Sequence, residues 1–139
     1  MFPKKVYYGL RFVLALAILP EGRLRGVAEI AENEDLPLKF LEAIAVILRK
    51  KGVVDVKRGA GGGYFLARPL KDITLYDLMS VLDEKMEKPI EKEGNNANIA
   101  SAIFLQEVKD EYDEVLKTFT LDKLKAHYKE ENDHIMYYI

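Results

Sequence analysis

Between Lys57 and Leu66 the chain reads Lys-Arg-Gly-Ala-Gly-Gly-Gly-Tyr-Phe-Leu, a basic pair followed by four glycines in five residues. Two chemistries use such a run. A loop that cradles the phosphates of a nucleotide needs Lys-Ser or Lys-Thr after the glycines and a helix behind them. Here Tyr64, Phe65 and Leu66 follow, and Val53, Val54 and Val56 precede, so both flanks favour strands. The better reading is a hairpin whose tip needs residues free to take positive φ. With Lys57 and Arg58 at the base of that glycine tip, the hairpin is a basic β-wing suited to lie close against a phosphate backbone.

Other reactive constellations are thin. The chain has no cysteine, which removes disulfides, thiolate metal sites and thiol nucleophiles together. His127 and His134 stand seven apart, close to one face of a helix, but they lack a third ligand and read as surface residues. The polar stretch from Glu87 to Asn98 carries carboxylates and asparagines, yet their spacing matches no calcium loop. No Ser-His-Asp arrangement stands out. Neither an enzyme, a metal site nor a cofactor is expected.

The elements that must position the wing follow from periodicity and punctuation. A first helix spans Pro3 to Leu19, apolar at Val6, Leu10, Val13, Leu14 and Ala17, and Pro20-Glu21-Gly22 stops it. A short second helix, Val27 to Glu32, turns Val27, Ile30 and Ala31 inward, and Asn33 to Leu36 is a tight acidic turn. Pro37 suits the first turn of a third helix running to about Lys50. Gly52 ends it, with Arg49, Lys50 and Lys51 complementing the helix dipole. Two helices joined by a short turn, then a glycine-tipped hairpin, make a winged helix-turn-helix whose third helix is the recognition helix.

Beyond the wing, Thr74 is a credible N-cap with Asp77 in a capping-box position, opening a helix to about Leu82. Residues 83–98 read as a polar loop. A long helix over about Ile99 to Thr118 carries Leu105, Val108, Tyr112, Val115 and Phe119 at spacings of 3 and 4, the rhythm of a helix that packs along another. Its opposite face carries Glu107, Lys109, Asp110, Glu111, Asp113 and Glu114. Dimerisation along this seam is expected, with packing on the chain's own first helix as the alternative. Thr120 would cap a last helix from Leu121 to about Glu131, before the apolar tail Met136-Tyr137-Tyr138-Ile139.

The class is thus mainly α with a small β-wing: a winged helix-turn-helix head over residues 1–82, the loop, and a dimerisation region over 99–139. Residues 1–70 carry 12 Lys+Arg and 7 Asp+Glu, a net of +5, whereas residues 71–139 carry 9 and 16, a net of −7. A basic head on an acidic body fits binding to double-stranded DNA. The first helix is interrupted at Leu10-Arg11 and is followed by no small-residue cleavage site, so it is a core helix rather than a signal peptide. A cytoplasmic protein without a membrane partner is expected.

Several short motifs recur together in one family. They are Lys5-Val6-Tyr7-Tyr8, Ile30-Ala31, Phe40-Leu41-Glu42, Leu48 to Gly52, Arg58 to Leu66, Ile73 to Asp77 and Thr120 to Leu124. On these residues the chain resembles, over essentially its whole length, the Rrf2 family of bacterial transcription regulators. That family includes the iron–sulfur cluster regulators, the nitric-oxide-sensing repressor and the cysteine-metabolism repressor. The resemblance implies a homodimeric winged-helix regulator, a repressor by preference, on a palindromic operator, with a small molecule or a protein as effector. It places the recognition helix in the major groove through Lys39, Phe40, Glu42 and Ala43. It places the wing (Gly59, Gly61, Gly62, Gly63 and Tyr64) in the adjacent minor groove, with Arg58 inserting where A·T-rich DNA narrows. Lys57, Lys5 and Tyr8 are the implied phosphate partners. Glu42 either accepts from a cytosine amino group or simply favours the helix dipole.

The departures from the family pattern are informative. Cluster-binding relatives carry three cysteines in the loop after the fourth helix, where this chain has none, so a cysteinyl iron–sulfur cluster is chemically excluded. Ala43, Val46 and Ile47 stand where relatives usually show polar or basic residues, while Leu41, Ile44, Ala45 and Leu48 suffice for the core stripe. Glu32, Glu34 and Asp35 near the DNA face would repel phosphate. Wing-dominated readout follows, or a protein-interaction module with weakened DNA binding, or burial of the apolar face by the first helix.

Overall fold

The computed structural model describes the backbone of residues 2–20, 22–86 and 88–138, with side chains through Ile135. The elements run α1 (Lys4–Ala17), α2 (Val27–Glu34), α3 (Leu38–Lys50), β1 (Val54–Lys57), β2 (Gly63–Leu66), α4 (Leu75–Leu82), α5 (Asn96–Thr118) and α6 (Asp122–Tyr138). A single 3-10 turn, Leu70–Asp72, leads into α4. The mainly helical winged helix-turn-helix is the observed architecture.

The core gathers around α1, which packs on α3, α4 and β2. Its inward stripe is Val6, Gly9, Phe12, Val13, Ala15 and Leu16. Leu10, Leu14 and Ala17 are only half-buried, so the stripe is rotated from the one read off the sequence. Gly9 explains the rotation. A Cβ there would stand 2.6 Å from Leu82 Cδ1, so a residue without a side chain lets α1 and α4 approach closely.

Helix ends are chemically specified. Gly52 takes φ 78° after α3, with Val53 N donating to Leu48 O at 3.0 Å and Gly52 N to Arg49 O at 3.0 Å. Those are the two bonds of a Schellman cap, and buried Leu48 and Val53 supply its apolar contact. The same pattern closes α2, with Leu36 N on Ala31 O at 2.8 Å, but Asp35 holds the left-handed position at φ 52°. α2 thus runs to Glu34, further than the sequence reading had it.

α4 opens with the expected capping box: Thr74 N donates to Asp77 Oδ2 at 2.9 Å, and Asp77 N donates to Thr74 Oγ1 at 3.1 Å. The start of α4 is also tied to the α5–α6 corner, through Leu75 N on Phe119 O and Leu121 N on Ile73 O, each 2.8 Å. α5 starts at Asn96 rather than Ile99, because Asn95 Oδ1 caps it by accepting from Asn98 N at 2.9 Å. The loop before it is correspondingly shorter. α6 begins at Asp122 and runs about two turns past Glu131. The side chains of the Met136–Ile139 tail lie outside those described, as do Glu21 and Glu87.

Candidate nucleic-acid interface

α3 divides cleanly into two faces. Leu41, Ile44, Ala45 and Leu48 are buried, and Ile47 is half-buried against the same core. Lys39, Glu42, Ala43, Val46, Arg49 and Lys50 are exposed. Ala43 and Val46 are therefore not covered by α1, and Val46 keeps 48% of its surface. Phe40 is exposed on its outer side while its ring meets Tyr8 edge-on at 6.3 Å, which links the start of α3 to α1. Lys5, in the first turn of α1, stands 3.7 Å from Glu84.

The wing grows directly out of α3. Ala67 N donates to Val53 O at 3.0 Å, and Arg49 Nε stands 3.3 Å from Asp55 Oδ1, pinning the end of the helix to β1. β1 and β2 pair antiparallel from Val54↔Leu66 to Lys57↔Gly63. Lys57 and Arg58 are exposed at the end of this ladder and form no ion pair among the described residues.

The four wing glycines do different jobs. Gly59 and Gly61 take φ of 97° and 73°, with open space where a side chain would stand. Backbone direction alone calls for glycine there. A Cβ on Gly62 would fall 2.1 Å from Lys57 O, and one on Gly63 would fall 2.5 Å from the Arg25 carbonyl. Gly62 and Gly63 are thus demanded from within the fold, whereas only Gly59 and Gly61 lie at an open tip.

Tyr64 likewise faces inward. Its ring is edge-on to Phe12 at 5.6 Å, and its N–H donates to Arg25 O at 2.9 Å, so it anchors the wing to the core. Arg25, which sequence reasoning passed over, forms an isolated bridge with Tyr64 beside the two-stranded sheet. Nothing in the Arg-Leu-Arg-Gly run before α2 signals that pairing. Acidic groups near the helix-turn-helix are partly neutralised: Arg11 Nη2 stands 3.2 Å from Glu34 Oε2 and also donates to the Glu34 carbonyl.

Away from this face, α5 splits its apolar seam. Ala102 and Leu116 are buried, and Tyr112 is half-buried against the core. Leu105, Val108, Val115 and Phe119 are exposed, joined by Ile103 and by Phe104 at 65% exposure. Lys109 and Asp113, assigned from sequence to the polar outer face, instead pair at 3.0 Å on the body side, where Tyr112 lies. Packing in the heptad rhythm is thus shared between the chain's own core and an open face. Lys117 Nζ, which lies 4.7 Å from the centre of the Tyr76 ring of α4, donates to Glu114 Oε1 at 3.2 Å, and this bond raises the pKa of the ammonium. His127 is exposed, 3.8 Å from Glu130. No group of three potential ligands for a metal ion occurs among the described residues, and no described helix is long and apolar enough to cross a membrane.

Comparison with known proteins gives a consistent result. Residues 2–127 match the family model Rrf2, described as iron-dependent transcriptional regulator. The helix-turn-helix-type transcriptional regulator IscR of Cereibacter sphaeroides is 41% identical over 71 residues, 51% of this chain and 46% of that protein. Protein rrf2 of Nitratidesulfovibrio vulgaris is 35% identical over 89 residues, 64% of this chain and 59% of that one. The chain thus spans about half to three-fifths of the length of these two relatives.

Among solved structures, IscR of T. potens superimposes with a TM-score of 0.73 at 30% identity, covering 94% of this chain and 90% of that one. CymR, the global cysteine regulator of B. subtilis, gives 0.72 at 28% identity, covering 91% and 97%. The iron in the family's description does not carry over as a thiolate-held cluster, since the sequence holds no cysteine to bind one. With the wing, the helix-turn-helix and this coverage in agreement, the chain belongs to the Rrf2 family of transcriptional regulators.

Proposed function

We propose that this chain is a sequence-specific DNA-binding repressor that acts as a homodimer on a palindromic operator without an iron–sulfur cluster. The observation that carries this reading is the continuity of α3 and the wing. The helix exposes Lys39 at its start and Arg49 and Lys50 at its end, and the first strand of the hairpin that follows leads to Lys57 and Arg58 at the tip, which have no ion-pair partner among the described residues. Exposed cations that no carboxylate of the chain occupies are available to attract and neutralise phosphates, with release of the counterions those phosphates hold. In this reading Arg58 enters the minor groove beside Gly59 and Gly61, Lys57 and Lys5 meet phosphates, and α3 lies in the major groove.

The homodimer is supported by the exposed face of α5, since a row of Phe104, Leu105, Val108, Val115 and Phe119 is more apolar surface than a small monomer ordinarily leaves open. An effector has room in a cavity of about 260 Å³ between α4 and α5, lined by Met79, Met86, Lys109, Tyr112 and Asp113 among others.

The test is selection of genomic fragments by the purified protein, followed by titration of the best fragment at two salt concentrations. A recurring palindrome whose binding falls steeply with salt and is lost in Arg58→Ala supports the proposal. Fragments bound without sequence preference, and equally well by Arg58→Ala, refute it. A second reading, a protein-interaction module, draws on the exposure of Val46 at 48% and Phe40 at 53%. It requires a single protein to be retained by the wild type and released by Val46→Asp, with no DNA enriched.

A further inference from the structure

Resting on the DNA-binding reading, we infer that Ala43 and Val46 read the C5-methyl groups of thymines, so that a thymine-bearing half-site is the DNA this chain selects. Lys39, Ala43, Val46 and Lys50 are spaced 4, 3 and 4 apart, which places them along one stripe of α3. The opposite stripe is the buried one, so neither Ala43 nor Val46 is held in place by the needs of the core. The stripe is cationic at both ends and apolar in the middle. A groove with phosphate walls and an apolar patch on its floor is its complement.

The floor of the major groove narrows the choice. Guanine, cytosine and adenine present hydrogen-bonding atoms and bare ring C–H groups there, and thymine alone adds a methyl group. Alanine and valine carry no donor or acceptor, and seating either against the other three bases would leave polar atoms dehydrated and unpaired. Only thymine offers them a methyl group that projects into the groove. Glu42, one position from Ala43 and also exposed, is an acceptor without a donor and suits a neighbouring amino group of cytosine or adenine. A protein partner on the same stripe would have to dehydrate Lys39 and Lys50 at its rim, while DNA neutralises them.

The experiment starts from the duplex that the full chain enriches from a random library. Each thymine in turn is replaced by deoxyuridine, which differs only in lacking the methyl. One or two positions per half-site are expected to lose about fourfold in affinity per methyl removed. Val46→Ala and Ala43→Ser are expected to shrink that penalty at one such position each. Both residues are exposed, so both variants should keep the wild-type unfolding midpoint, which is measured alongside.

Deoxyuridine tolerated at every position, or a penalty untouched by both substitutions, overturns the inference and leaves DNA binding standing. Failure to enrich any duplex overturns both, and assigns the apolar stripe to a protein instead.

Discussion

Gly63 lies against the backbone of Arg25 so closely that a Cβ on it would meet the Arg25 carbonyl at 2.5 Å, while Tyr64 N donates to that same carbonyl at 2.9 Å. One glycine thereby lets the segment before α2 join the wing sheet, and the orientation of the wing depends on that join. Gly63→Ala is expected to destabilise the protein by about 1–3 kcal/mol, the usual cost of forcing atoms into a packed site, and to weaken DNA binding. Gly61→Ala meets no neighbour and carries only the cost of a positive φ, about 1 kcal/mol. Urea unfolding of the two variants checks the order. Equal costs would show that wing glycines are needed only for backbone direction.

The helix-turn-helix corner rests on Asp35 at φ 52°, the place where Gly52 serves α3. Short polar side chains tolerate this region, and branched ones do not. Asp35→Asn should leave stability within about 0.5 kcal/mol, whereas Asp35→Val should cost about 1–2 kcal/mol. Thermal unfolding of both variants decides it, and equal midpoints would contradict the assignment.

Thr74 caps α4 at the point where α4 is bonded to the α5–α6 corner. Thr74→Ala removes the acceptor for Asp77 N and should cost about 0.5–2 kcal/mol. Thr74→Ser keeps the oxygen and should recover most of that loss. Denaturant midpoints of the three proteins provide the check.

Much of this was legible in the sequence because local chemistry announces itself. Thr74 with Asp77, Gly52 after a periodic run, and glycines between β-branched flanks each specify a conformation without reference to the rest of the chain. What remained hidden depends on the partner across the contact. Gly9 gives no sign that it faces Leu82, Gly62 and Gly63 look the same as Gly59 and Gly61, and Arg25 carries no strand signal. Periodicity on α1 locates the helix and, of its stripe Val6, Leu10, Val13, Leu14 and Ala17, Val6 and Val13 are buried, while Gly9, Phe12, Ala15 and Leu16 complete the buried face in place of Leu10, Leu14 and Ala17. Lys109 and Asp113 read as solvated because they are charged. Pairing with each other is what lets them sit beside Tyr112 on the body side of α5.

The same division of α5 makes the dimer reading testable by two substitutions within one seam. Tyr112 is half-buried against the core of its own chain, while Val108, one turn earlier, is exposed at 54%. Tyr112→Ala should therefore lower stability by about 3 kcal/mol or somewhat less, since the ring is only partly enclosed. Val108→Asp touches no core residue and should leave the secondary structure and the unfolding of the isolated subunit nearly unchanged. If α5 pairs with a second copy, a carboxylate there is buried without a partner, and sedimentation should show monomers at concentrations where the wild type is dimeric. Operator affinity should then fall steeply, because each half-site is bound alone. A Val108→Asp protein that sediments like the wild type would place the subunit contact elsewhere on the surface.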